Sequence, residues 1–133
     1  RRGEADLAAM RAAASHFEMA IRAHDALMMT EANRRFHSTV AEACHNPYLF
    51  AHYDRLLTLG LRMLRSHQAY RGSDEAELKR QSLEHHELID AIAQRDTGRA
   101  ERLAHHHTRA FVERYVRSLQ ENLTREIAIK LTS

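Results

Sequence analysis

In the stretch ERLAHHHTRAFVERY, residues 101–115, three histidines stand side by side in a chain that has eleven among 133 residues. Imidazole is the side chain whose charge changes nearest neutral pH, and its neutral form is a common ligand for transition metals. An α-helix advances about 100° per residue, so three consecutive residues cannot all face one way. His107 shares its face with Ala100, Leu103, Ala104, Ala110 and Phe111. His105 lies with Glu101, Arg102, Thr108 and Arg109, and His106 falls between the two sets. His107 is the inward one.

The same phasing applied to LEHHELIDAI selects His85, which stacks with Leu78, Leu88, Ile89 and Ile92, while His86 leans toward Glu87 and Asp90. His85 lies eleven residues before Asp96 and His107 eleven after it. If the segment RDTG at 95–98 is a turn, an antiparallel hairpin brings both imidazoles to one level, roughly 16 Å from that turn at about 1.5 Å per residue. A third inward candidate is His37 in ANRRFHSTVAEAC, which shares a face with Val40, Ala41 and Cys44, and with Asn33 one turn earlier. Asn33 and His37, at i and i+4, would send an amide oxygen and an imidazole into the same space. One helix and a facing hairpin is an arrangement from which bundles build metal sites. A single inward histidine is more often a hydrogen-bonded core residue. Three of them with a polar companion are costly to bury without a shared partner. His16, His24, His45, His52 and His67 have no such company and read as surface or loop residues, and Cys44 reads as a small buried hydrophobe.

Helical periodicity runs through nearly the whole chain. The segments expected are about 4–23, with Leu7, Met10, Ala14, Phe17 and Ile21 in phase, then about 25–44. HNP at 45–47 punctuates, with Asn46 as a cap and Pro47 at the first helical position. A third helix over about 47–70 presents Leu49, Tyr53, Leu56, Leu57, Leu61 and Leu64 as its apolar stripe. RGSD at 71–74 is the clearest loop, with Asp74 and Glu77 in capping-box spacing ahead of a helix over about 75–94. A long fifth helix reaches about 129. No segment alternates with period two, so the fold class is all-α, an antiparallel helical bundle of about five to seven helices.

The bulk composition agrees. With 133 residues there is one domain, 1–133, able to bury a single core. One Pro and four Gly are little chain-breaking material for such a length. Twenty basic residues are offset by eighteen acidic ones mixed along the chain, and the pairs Arg1-Arg2 and Arg34-Arg35 are not interleaved with aromatics. No phosphate-binding stripe results. The lone Cys44 fits a reducing cytoplasm, and no apolar run approaches membrane-spanning length.

Three stretches in order, ANRRFHSTVAEACHNPYL, LEHHELIDAI and RDTGRAERLAHHH, resemble the effector-binding C-terminal domain of the FadR subgroup of GntR-type transcription regulators. The resemblance spans nearly the whole chain and rests on the order and spacing of these segments together. It implies a metal site inside an all-helical bundle at Asn33, His37, His85 and His107, the four positions that phasing selects. Many members have Asp where this chain has Asn33. An amide can ligate through its oxygen but is neutral, so the ion would keep its full charge and be held less tightly. Three imidazoles and one amide oxygen suit a divalent transition metal such as Zn or Ni better than Ca or Mg. The resemblance further implies a small carboxylate effector completing the metal's coordination, a homodimer, and a winged helix-turn-helix domain N-terminal to this one, absent from these residues, through which DNA is bound. Arg62 and His67 on the third helix are further candidate ligand contacts.

The rival from another class is a metal-dependent hydrolase on a helical bundle, in which three histidines and an open position activate water. Such chemistry needs a general base beside that water, and no Asp or Glu is expected on the inward faces. HHELID at 85–90 has Asp90 where a zincin pattern needs its second His. A purely structural interaction module is the third reading. With nearly balanced charge and no recognition helix, the 133-residue chain alone should not retard an operator fragment selectively in a gel-shift assay. Selective retardation by this chain would contradict that.

Overall fold

The computed structural model describes residues 3–67 and 73–132, apart from the side chains of residues 61, 63–67 and 132. Among the described residues there are five helices and no strands: α1 Glu4–Arg22, α2 Ala26–Glu42, α3 Pro47–His67, α4 Glu75–Ala93 and α5 Thr97–Thr132. The chain is all-α, as the periodicity requires. α1 packs on α2 and α4, α2 also on α3, and α4 on α5.

Four of the five helices, α2 to α5, begin where a short polar side chain can take up free N–H groups of the first turn, whereas α1 starts at Gly3, whose own N–H donates to Asp6. Asp25 accepts from Met28 N at 2.9 Å, and Asp96 from Arg99 N at 2.9 Å. Asn46 accepts from both Tyr48 N and Leu49 N at 3.1 Å, the role expected of it before Pro47. Asp74 accepts from Ala76 N at 3.4 Å, while the Glu77 carboxylate stands 3.9 Å from Arg114 Nε. Of the expected loop at 71–74, Arg71 and Gly72 lie outside the described residues, as do residues 68–70 of the expected third helix.

Two helices end alike. At the end of α1, His24 N bonds to Ile21 O and Asp25 N to Ala20 O. At the end of α4, Arg95 N bonds to Ile92 O and Asp96 N to Ala91 O. This closing pattern needs a left-handed residue, usually Gly, and here it is filled by His24 (φ 51°) and Arg95 (φ 58°). In both turns the next residue, Asp25 or Asp96, then caps the following helix. The α4–α5 connection is thereby held to a few residues, which sets the register of the hairpin.

The core is built on α1. Leu7, Met10, Ala14 and Phe17 are buried, as their spacing predicts; Phe36 of α2 and Leu88 and Ile89 of α4 pack with the first three, and Met29 of α2 and Leu78 of α4 with Phe17. The small Ala13, Ala14 and Ala20 let neighbouring helices approach closely. α3 departs from expectation. Leu49 and Leu56 are 56% and 65% exposed, Tyr53 is partly exposed, and the side chains of Leu61 and Leu64 lie outside the described residues. Periodicity reports an apolar face but not whether another element covers it. Cys44 is only partly buried, on the rim of the α2–α3 turn. α5 is the longest helix, and its residues from Gln120 to Leu131 are all exposed. No helix among the described residues is long and apolar enough to cross a membrane.

An L-residue in the left-handed region is strained, and Arg95 is exposed with its backbone already closing the helix. Arg95→Gly should therefore raise stability by about 0.5–1 kcal/mol, seen as a higher urea midpoint at unchanged slope. A lowered midpoint would contradict this account of the turn.

Candidate metal centre

Three helices each deliver one inward imidazole: α2 His37, α4 His85 and α5 His107. One nitrogen from each lies within 4.8 Å of the others. The hairpin register expected from the turn at Asp96 is present, with the His85 and His107 ring centroids 5.0 Å apart. His37 stands 5.1 Å from His107 and 5.6 Å from His85, centroid to centroid, and its Nε2 is 3.2 Å from Nε2 of His107. The neighbours of the triplet behave as phasing predicts. His105 is exposed, and His106 is also exposed, with its Nε2 3.9 Å from Glu84 Oε1.

His85 is the most enclosed of the three, at 1% exposure. Its ring stacks on Phe36 at 3.9 Å and meets Phe17 at 5.0 Å. Neither ring nitrogen has a hydrogen-bond partner. Leaving a buried polar atom unpaired is costly, and a ring with both nitrogens unpaired is doubly so.

Burial also fixes the charge. The His37 ring is enclosed although the residue as a whole is only partly buried, and desolvation, helped by repulsion from His107, pushes its pKa down to about 3. Burial holds His85 well below the usual histidine range, with smaller contributions from His37 and His107. His107 is lowered by burial too, against the opposing pull of the Glu84 carboxylate. At neutral pH all three are uncharged, the form that offers a lone pair to a Lewis acid.

Asn33 is buried on the same face of α2, and its Oδ1 accepts from Gln81 Nε2 at 3.3 Å. With two lone pairs, that oxygen keeps capacity for a further partner. Asn33, His37 and His107 line one cavity of about 160 Å³ between α2, α3 and α5, bounded across from them by Tyr53, Leu57 and Gly60 of α3. Arg34 sits at its edge, with its guanidinium donating to Asp54 at 2.8 Å and to Thr58 at 3.3 Å, and Ser38 donates to the same Asp54 oxygen at 3.1 Å. Burial raises the Tyr53 phenol pKa. Arg62 is exposed and is not among the residues lining this cavity, and the side chain of His67 lies outside the described residues.

Two charged residues escaped the sequence reading. Glu84, expected on no inward face, is buried, and its Oε2 lies 2.6 Å from Nδ1 of His107, within hydrogen-bond distance. It was legible in a stripe: Gln81, Glu84, Leu88 and Ala91 follow helical spacing, and all four are buried. Arg114 lies two turns beyond His107 on the same face of α5. Its guanidinium is 5.9 Å above the Phe111 ring, and both its terminal nitrogens are buried without a hydrogen-bond partner. The Glu84 carboxylate does not restore the hydrolase reading. It is engaged on Nδ1 of His107, and the nitrogen that meets His37 lies across the ring, so the carboxylate is not placed to serve a water there.

A family model described as the FCD domain matches residues 1–110, which takes in all three histidines. The chain belongs to the FCD domain family. FCD domains are the effector-binding C-terminal domains of GntR-type regulators, so this FCD domain is a ligand-sensing regulatory domain. Searches of curated proteins and of solved structures each returned no match.

The unfolded chain protonates these histidines near pH 6.5, while burial in the folded FCD domain lowers the pKa of all three, that of His37 to about 3. The unfolded state thus binds more protons in that window. In metal-free protein, stability should be fully present above about pH 6.5 and fall as pH drops toward 3. Urea melts of chelator-treated protein at pH 7, 6 and 5 should show a falling midpoint. A midpoint independent of pH over that range would contradict the buried neutral cluster.

Proposed function

We propose that this FCD domain senses a small organic acid through a divalent transition metal, Zn or Ni, held by His37, His85 and His107 with Asn33 as oxygen donor. The observation that carries the reading is the His85 ring, sealed in the core with both nitrogens unpaired beside two other neutral imidazoles. Such a set is poorly satisfied by itself and well matched to an ion that prefers nitrogen donors. When bound, the ion would supply Lewis acidity and a coordination position for a carboxylate oxygen.

The chain's own residues account for the rest. All four protein donors are neutral, so a negatively charged ligand is favoured beside them. The cavity next to His37 and His107 gives it room, and its opposite wall is α3. An occupant would therefore touch three helices at once. α3 is tied to α2 at this level through Arg34, Asp54 and Ser38, so a shift of α3 on binding is a physical route for a signal out of the domain. In this reading the acid is bound and not turned over, and the domain works in the cytoplasm as part of a dimeric regulator whose DNA-binding domain lies N-terminal to it.

Elemental analysis should find one Zn or Ni per chain, directly or after incubation with Zn²⁺, and a chain that stays metal-free would contradict the reading. In a thermal-shift screen of organic acids, a true effector should raise Tm by an amount that grows with its concentration. EDTA or His107→Ala should abolish that rise, whereas His105→Ala should leave it nearly intact. Equal loss in both variants, or consumption of the acid, would count against a sensor built on the inward histidines.

A further inference from the structure

Glu84 is buried beside the three inward imidazoles, and a buried carboxyl group requires a partner. An ionised carboxyl can only accept hydrogen bonds, so in that form the 2.6 Å contact would put the His107 proton on Nδ1. The lone pair is then on Nε2, the nitrogen that faces His37 Nε2 at 3.2 Å. The other carboxylate oxygen lies 3.9 Å from His106. Asn33, meanwhile, offers an amide oxygen that accepts from Gln81 and carries no charge.

We propose that Glu84 is a positioning residue of the metal centre: it locks His107 as the Nδ1–H tautomer, presents Nε2 to the ion, and supplies from behind the imidazole the negative charge that Asn33 does not supply directly. This rests on the metal reading above. A carboxylate behind a ligating histidine raises the basicity of the ring and fixes its orientation. Here that carboxylate comes from the residue next to His85, so one turn of α4 provides both a ligand and the support for a ligand on α5. The site thereby holds its compensating charge one imidazole away from the ion, which leaves the cavity side of the centre neutral and open to an anion.

The test uses the 133-residue chain and Zn²⁺ alone, in competition with a chromophoric chelator, comparing wild type with Glu84→Gln, Glu84→Ala and the exposed-site control Glu101→Gln. Glu84→Ala should weaken Zn²⁺ binding by roughly 10- to 100-fold. Glu84→Gln, which keeps the shape and removes the charge, should also weaken it, and adding Asn33→Asp to that variant should restore much of the loss by returning a charge to the site. Glu101→Gln should bind as wild type does. In metal-free protein, nitrogen-15 NMR of the imidazoles should find His107 as the Nδ1–H tautomer in wild type and a mixture in Glu84→Ala, a signature that general destabilisation does not produce. Wild-type affinity in both Glu84 variants, or a wild-type His107 protonated on Nε2 alone, would overturn the role of Glu84. A wild-type chain that takes up no Zn²⁺ would overturn the metal reading itself, a distinct failure.

Discussion

Three uncharged imidazoles meet in the interior of this bundle, and the rest of the structure is arranged around keeping them there. An apolar core can take a neutral ring without much difficulty, but not its unpaired nitrogens. His107 has a carboxylate for one nitrogen and His37 beside the other, while His85 has nothing for either. A Lewis acid bound among them would answer that deficit.

The meeting depends on register. His85 and His107 sit on two helices of one hairpin, and a one-residue slip would turn either ring by about 100° out of the site. The short turn through Arg95 and Asp96, closed by two backbone bonds and one side-chain cap, holds the count between them. From the opposite side, Phe17 and Phe36 pin the His85 ring between α1 and α2. α2 also carries His37 beside Phe36 and Asn33 one turn before His37, so the helix that packs the core would furnish half of the proposed donor set. α1 bears none of these donors and acts as the buttress.

Much of this was legible in the sequence, because helix phase is a local property. The five helices, the caps at Asn46 and Asp74, the inward choice of His107 over His105, and the level meeting of His85 with His107 all follow from spacing and turn chemistry. What spacing does not encode is coverage. The apolar stripe of α3 is correctly periodic, yet Leu49 and Leu56 face outward because no described element packs on that face. Glu84 was passed over for a related reason. Its residue type suggests solvent, and only the partner across the hairpin, His107, makes burial tolerable. Arg114 illustrates the same point two turns further along α5, where the Phe111 ring and Glu77 of α4 enclose it. Pattern locates faces, whereas charge placement is decided by what another helix brings opposite.

The central claim is that the three inward imidazoles act together on one ion. X-ray absorption at the zinc edge, on protein loaded with one equivalent of Zn²⁺, reads that ion's ligands directly. The account predicts a first shell of nitrogen and oxygen at about 2.0–2.1 Å, with outer-shell scattering from three imidazole rings that falls to two in His85→Ala. A sulfur shell from Cys44, or imidazole scattering unchanged by loss of His85, would contradict it.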